Sequence, residues 1–314
     1  MKKIIVDNYG SVDVLKEINV SIPTPQENQI LIKTRAIGVN DPDIVMRKNG
    51  PFPTMPKEMR PTLPHMLGQD FSGVIVKVGD GVTKFHEGDH VIGFSKNGTY
   101  AQYLLLDQND PIAKVASDLG LVPLGALYLQ AATAWGAVIR DGHLKAGQKV
   151  LIHGGAGGVG TMAIQLAKNV GAYVITTAQK KHNEYLKQLG ADEIIDYKTQ
   201  DFTKLVNNVD LVVNLTGDQT LTDSYGIVKR GGRITSVHGV PDKKKASDFG
   251  INTSYSLSDL SPKTLDSIVK LYTDSKLKVN IDRIYPFNLE SVKQAHLDFE
   301  EGSNQGKKVV VFDD

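Results

Sequence analysis

Five glycines fall within the eight residues His153-Gly154-Gly155-Ala156-Gly157-Gly158-Val159-Gly160. Glycine loses more backbone freedom on folding than any other residue, so such a run is retained only where close approach or an unusual backbone requires it. The run lies between "KVLIHG" (149–154), a short apolar strand, and "GVGTMAIQLAKNVG", which carries Val159, Met162, Ala163, Leu166 and Val170 on one helical face. Gly155, Gly157 and Gly160 have the G-x-G-x-x-G spacing of a dinucleotide-binding turn. The first glycine permits the tight bend, the second lets the backbone approach a pyrophosphate, and the third lets helix and strand pack closely. Gly155, Ala156, Gly157, Gly158, Val159 and Gly160 therefore form the expected phosphate cradle, at a helix start whose N–H groups and dipole favour anions.

The motif is weak alone, but its surroundings agree with it. Beyond it, "AYVITT", "ADEIIDY", "DLVVNLTG" and "GRITSVHGV" read as further strands, with a helix over "NEYLKQLG". Strands alternating with helices imply parallel βαβ units. Before residue 120 the texture differs: "QILIKTRAI", "SGVIVKVG" and "DHVIGF" are strands set among Gly, Pro and Asp, as in a compact β-rich domain. After residue 262, "SPKTLDSIVKLYTDSKL" reads as a capped amphipathic helix and "GKKVVVFDD" as a last strand.

Composition excludes several classes. Lys and Arg total 36 against 35 Asp and Glu, a net charge of +1 that gives no electrostatic case for a nucleic-acid partner. There is no cysteine, which removes disulfides, thiolate metal ligands and cysteine nucleophiles together. No apolar run reaches the ~20 residues of a membrane span, and the apolar start of "MKKIIVDNYG" is too short for a secretory signal. The expectation is a cytoplasmic protein without membrane contact.

The acidic residue that would bind an NAD ribose ~20 positions beyond the motif is missing. Thr176, Thr177, Lys180 and Lys181 stand there instead. Hydroxyl and ammonium groups suit a 2′-phosphate, so the expected cofactor is NADPH. The bland alternative is that the lysines are a solvated helix start.

"GQDFSGVIVKVGDGVTKFHEGDHVIGF" (68–94), "HGGAGGVGTMAIQLAK" (153–168), "LGADEIIDY" (189–197) and "GKKVVV" (306–311) together resemble the zinc-free quinone oxidoreductase branch of the medium-chain dehydrogenase/reductase superfamily. The resemblance runs in order along nearly the whole chain. It implies an α/β protein with a GroES-like β-rich catalytic domain over 1–122, completed by 263–314, and a Rossmann domain with a doubly wound parallel sheet over 123–262. It implies an active site in a cleft, and a homodimer. Zinc-dependent relatives carry a Cys near position 40 and a His-Glu pair near 69; this sequence has Asn40 in "GVN" and Gln69-Asp70 in "GQD", so no zinc is expected.

The resemblance also implies roles for individual residues. Asn40 and Asp43 of "GVNDPD" would line the nicotinamide pocket, and Thr133 would contact the carboxamide. Leu215 and Thr216 of "NLTG", with Val237, His238 and Gly239 of "VHGV", would give backbone contacts to the nicotinamide half. Lys180, Lys181 and Tyr197 would lie near the adenosine phosphate. Each residue has a plainer alternative: Asn40 and Asp43 could cap turns, and Thr133 could bond its own helix. Two stretches depart from the family pattern: 302–307 lacks the usual arginines, and 46–66 lacks a tyrosine found beside the substrate in some members.

The implied activity is metal-free hydride transfer to a small electrophile, a quinone or the β-carbon of an α,β-unsaturated carbonyl. A non-catalytic NADPH-binding redox sensor on the same scaffold and an alcohol dehydrogenase are the alternatives. His65, His153 and His238 are candidate acids, although a lone histidine in such surroundings is more often structural.

Overall fold

The structure is a computed structural model, and it describes residues 1–52, 55, 57–302 and 305–313. Ser303 and Asn304 of the arginine-poor stretch, and Pro53, Thr54 and Pro56 of the tyrosine-poor one, lie outside the described residues. In chain order the first strands are β1 (Lys2–Val6), β2 (Leu15–Asn19), β3 (Gln29–Gly38), β4 (His65–Met66), β5 (Asp70–Val78), β6 (His90–Phe94), β7 (Tyr103–Asp107) and β8 (Ile112–Lys114). Then come β9 (Lys149–His153), β10 (Tyr173–Ala178), β11 (Glu193–Asp196), β12 (Val209–Asn214), β13 (Val228–Ser236), β14 (Asn252–Tyr255), β15 (Ile281–Pro286) and β16 (Lys307–Val311).

Two compact units result. The first comprises Met1–Leu129, Ser261–Val269 and Val279–Asp314; the second comprises Gln130–Leu260 and Lys270–Lys278. The sequence reading set these divisions at 122/123 and 262/263. Gly38 and Gly125 show why the segment after 122 stays with the first unit. A Cβ on Gly125 would lie 2.5 Å from Ala36 O, and one on Gly38 would lie 3.1 Å from Ala126 Cα, so 125–126 rests directly on β3.

Among its described residues the first unit holds a small sheet ordered β2-β1-β4 and a larger one ordered β15-β16-β3-β5-β6-β8, with β7 also pairing β3. β3 and β5 carry runs of consecutive buried residues, as central strands covered on both faces do. Ile30, Ile32, Phe71 and Ile75 are fully buried with Ile4, Val6 and Tyr100 in one core. The C-terminal β16 pairs antiparallel with β3, Val309 opposite Gly38, so the end of the chain completes the sheet begun near its start.

The sheet of the second unit is ordered β11-β10-β9-β12-β13-β14, with every described pairing parallel. This is the doubly wound dinucleotide-binding order, with its switch point between β9 and β12. Five of these strands are legible in the sequence. The sixth, β14, is polar and half-exposed at the sheet edge, so it gives no apolar signal.

The helix Gly158–Val170 differs from the single apolar face read in the sequence: Gly160 to Leu166 and Ala167 are buried all round. Gln165 explains this, because its amide bonds Lys278 N and O at 2.8 and 3.1 Å and draws the returning chain over the side that would otherwise face water.

Candidate functional site

In the second unit the glycines divide by function. The left-handed bend falls at Gly154 (φ +80°), not at Gly155 as the motif spacing predicts. Gly155 is needed for another reason: a Cβ there would lie 2.0 Å from Thr176 Oγ1, whose hydroxyl is fixed on Ile152 O at 2.8 Å. A Cβ on Gly160 would lie 2.2 Å from Gly154 O, which is the close helix–strand packing expected. Gly157 is the exception. It caps the helix with extended backbone (φ −74°, ψ 168°) that any residue adopts, and the nearest atom to its Cβ position is 3.6 Å away. Neither backbone nor packing requires a glycine at that position, so the bare surface there is space left for a ligand. The first-turn N–H groups of the thirteen-residue helix have no intrahelical acceptors. The cradle fits a pyrophosphate.

Ala156 is buried, while Gly158 and Val159 are half-buried at this turn. Thr177, expected near the adenosine phosphate, is buried: its Oγ1 accepts from Gly154 N at 3.3 Å and meets His153 Nδ1 at 3.2 Å, so the hydroxyl braces the glycine turn. Lys180 and Lys181 are exposed just beyond β10. Tyr197 is exposed after β11, and its hydroxyl accepts from Gln179 Nε2 at 3.0 Å, which joins the ends of the two strands.

The loops 214–217 and 237–240 are brought together by Asn214, a residue that sequence reasoning missed. Its buried Nδ2 is directed at Ser236 Oγ (3.0 Å) and His238 O (2.8 Å), and Val237 N donates to Asn214 O at 3.0 Å. Leu215 is half-buried; Thr216 is exposed, and its hydroxyl donates to Asn214 Oδ1 at 3.1 Å. Gly239 (φ +83°) has Asp218 Oδ1 2.1 Å from its Cβ position, so only glycine fits. Thr133, 7% exposed, pairs its hydroxyl with Ser258 Oγ at 2.8 Å.

The histidines considered as acids are placed differently. His153 lies between Thr177 and Ser224 Oγ (3.1 Å), edge-on to Phe202, and burial lowers its pKa to about 3, so it is a neutral structural ring. His65 stands against the ring of Tyr9, and burial lowers its pKa as well. His238 is half-buried in its loop.

In the first unit Asn40 and Asp43 open the helix Asp41–Asn49, and both are buried. Asn40 N donates to Asp43 Oδ2 at 2.9 Å and Gly68 N donates to Asp43 Oδ1 at 3.0 Å. The capping alternative thus describes part of what these residues do. Asn40 Nδ2 donates to Gly38 O (3.0 Å) and Asp70 Oδ1 (2.9 Å). Lys307 Nζ donates to Val39 O at 2.9 Å and to Asn40 Oδ1. Tyr100 OH donates to Asp43 Oδ2 at 3.4 Å and meets His296 Nε2 at 3.0 Å.

Burial sets the electrostatics of this cluster. It pushes the Asp43 carboxyl up to about 7, against the pull of the Asn40 amide, and the neighbouring Asp70 adds to the rise. Burial also raises Asp70 and lowers Lys307, each opposed by the other's charge. His296 is held neutral, its pKa lowered to about 3 by burial and by Arg47. Asp70, Tyr100, His296 and Lys307 were not read as site residues. Their only sequence signal was position, Asp70 in "GQD" and Lys307 in "GKKVVV".

Residues 26–117 match the family described as alcohol dehydrogenase GroES-like domain, 122–217 the alanine dehydrogenase/PNT C-terminal domain, and 189–310 the zinc-binding dehydrogenase. The chain is 33% identical to a 2-methylene-furan-3-one reductase of Solanum lycopersicum, covering 99% of this chain and 79% of that protein. It is 31% identical to the chloroplastic NADPH-dependent alkenal/one oxidoreductase of Arabidopsis thaliana, with the same coverages. A solved quinone oxidoreductase from Coxiella burnetii superposes with a TM-score of 0.89 at 33% identity, over 99% of both chains. The GroES-like unit and the doubly wound sheet with its glycine cradle define a medium-chain dehydrogenase/reductase, an oxidoreductase class that binds a nicotinamide cofactor. Within that superfamily the chain belongs to the quinone oxidoreductase branch.

The zinc of the matched dehydrogenase family does not fit the residues present here. Among the described residues no group of three His, Cys, Asp or Glu could hold a metal ion. Asn40 Oδ1, at the position of a zinc ligand in the zinc-dependent relatives, already receives the Lys307 ammonium.

Proposed function

We propose that this chain is a zinc-independent, NADPH-dependent reductase that delivers hydride to a quinone or to the β-carbon of an α,β-unsaturated carbonyl. The observation that carries the reading is Gly157, a glycine that nothing in the protein demands, at the helix start where a pyrophosphate would lie. The names of the reductase relatives support the acceptor class. NADPH is favoured over NADH because β10 is followed by Gln179, Lys180 and Lys181 instead of an acidic residue.

A bound NADPH supplies hydride from nicotinamide C4. The glycine cradle would hold the pyrophosphate, and Lys180, Lys181 and Tyr197 would stand at the adenosine phosphate. The loops tied by Asn214, with Thr133, would hold the nicotinamide half. In the first unit Asp43 fixes the backbone of Asn40. An electrophilic acceptor needs orientation more than acid catalysis, and the charge left on its oxygen is balanced by a proton from water. The reading includes a cytoplasmic setting and a homodimer. The dimer is supported by the edge strand β14, with Tyr255 exposed at its end and Leu257 just after it.

The test is NADPH oxidation by chelator-treated protein with a benzoquinone, with an α,β-unsaturated ketone, and with NADH in place of NADPH. Turnover with NADPH and either acceptor is the expected result. NADPH binding without turnover points instead to the sensor, and turnover abolished by the chelator points to a metal-dependent alcohol dehydrogenase.

A further inference from the structure

We propose that Asn97 is a self-modifying site. Its side-chain amide is converted to aspartyl and isoaspartyl linkages by attack of the next backbone nitrogen and then of water, while the fold protects the identical pair at Asn49.

Asn-Gly occurs twice in the chain, as "KNGPF" (48–52) and "KNGTY" (96–100). Glycine has no Cβ to shield its nitrogen from the side chain before it, so either pair could close a succinimide ring. The structure separates them. Asn49 ends the helix Asp41–Asn49, and Gly50 N donates to Met46 O at 3.0 Å, so that nitrogen is occupied and held towards the helix. Tyr9 packs over Gly50, its ring 3.0 Å from where a Cβ would stand. Asn97 is exposed in the turn that follows β6. Its backbone N–H donates to Ser95 Oγ at 3.2 Å, but neither its side-chain amide nor Gly98 N has a hydrogen-bond partner among the described residues. No hydrogen bond has to break before Gly98 N can turn on Asn97 Cγ.

The step balances with water as its one co-reactant. Gly98 N loses its proton and bonds to Asn97 Cγ; the Cγ–Nδ2 bond breaks, and ammonia leaves with that proton. The imide then takes up water. Opening at Cγ gives aspartate with the ordinary main chain, and opening at the backbone carbonyl gives isoaspartate, whose main chain runs through Cβ and Cγ. Nothing is oxidised or reduced.

The products differ in cost because the turn is anchored at both ends. Ser95 N donates to Gln69 O at 2.8 Å, and Thr99 N and Tyr100 N donate to Leu67 O at 2.8 and 3.2 Å. Only Lys96, Asn97 and Gly98 bridge these anchors, and a Cβ on Gly98 (φ +92°) would lie 2.5 Å from Met66 O. An isoaspartyl linkage lengthens this short span by a main-chain atom, which pulls on the Thr99 anchor and on Tyr100, fully buried in the core of the first unit. An aspartate keeps the span and sets its charge in water.

The experiment incubates the full chain in mildly alkaline buffer, native and in urea, and follows both Asn-Gly peptides by mass spectrometry, with fragmentation to tell isoaspartate from aspartate. In the native protein position 97 should convert about tenfold or more faster than position 49, since Gly50 must first give up its hydrogen bond. In urea the rates should converge. The isoaspartyl fraction, separated by ion exchange, should melt below fresh protein, whereas Asn97→Asp should melt with it. Asn97→Gln, whose longer side chain must close a larger ring, should keep its melting temperature through the incubation.

Equal native rates at the two positions overturn the proposal, as does conversion at 97 in urea alone. An isoaspartyl fraction that melts like fresh protein overturns the part assigned to the anchors.

Discussion

Thr176 fills the space beside Gly155: its hydroxyl lies 2.0 Å from where a Cβ on Gly155 would be, while Gly157, two residues on, has no atom within 3.4 Å of its own Cβ position. One glycine serves the fold and the other leaves room for a ligand. Gly157→Val should therefore raise the NADPH dissociation constant by about tenfold or more, equivalent to about 1.4 kcal/mol, with little change in melting temperature. Gly160→Ala should do the reverse at first order, costing about 1–3 kcal/mol of stability through overpacking against Gly154. Fluorescence titration and calorimetry on both variants check the pair. Unchanged NADPH affinity in folded Gly157→Val sinks the cradle.

Cofactor choice separates in the same way. Thr177 has its hydroxyl on Gly154 N and His153, so Thr177→Val should cost about 1–3 kcal/mol of stability and leave the ratio of NADPH to NADH affinity unaltered. Lys180→Glu with Lys181→Glu, at exposed positions, should narrow or reverse that ratio with little loss of stability. If the lysine variant keeps its preference, the 2′-phosphate is held elsewhere.

These contrasts show what the sequence could and could not carry. The glycine motif, the strand before it and the helix after it were legible, because steric and periodic constraints act over a few neighbours. That Gly154 makes the bend while Gly155 accommodates Thr176 depends on β10, more than twenty residues away in the chain. The cluster around Asn40 was half-legible. Asn40 and Asp43 share a helix start, but Asp70 and Lys307 converge on them from distant strands, Tyr100 from a loop and His296 from one late helix. Such convergence leaves no local pattern. β14 escaped because "NTSY" has neither apolar alternation nor bulk.

The buried histidines predict acid sensitivity. In the folded chain His153 has its pKa lowered to about 3 from an ordinary 6.5, so below 6.5 the unfolded chain binds a proton that the folded chain refuses. Stability is fully present above pH 6.5 and is lost as pH falls towards 3, by about 2 kcal/mol at pH 5. His296 acts in the same direction. Asp43 acts oppositely, since the folded chain keeps a proton up to about 7 that an ordinary carboxyl has released. His153→Gln, which can still bond Thr177 and Ser224, should remove its share. The wild-type fall in melting temperature between about pH 7.5 and about pH 5 should be steeper than the variant's. Equal slopes would mean that His153 does not stay neutral.

The edge of the parallel sheet carries the last prediction. β14 pairs only with β13 among the described strands, so its outer row of N–H and C=O groups is open to another strand. Tyr255 at its end is 37% exposed, Leu257 just after it 61% and, beyond β13, Val240 70%. Large apolar side chains next to an open strand edge suit a second copy of the same edge, because a two-fold axis makes the patch complementary to itself. A carboxylate placed there would be desolvated in a dimer and fully hydrated in a monomer. Leu257→Asp should thus lower the mass in sedimentation from twice the 34.2 kDa of the chain to once it, while NADPH affinity in the second unit is retained. A wild-type protein that sediments as a monomer refutes the homodimer outright, and a variant that stays dimeric moves the interface away from β14.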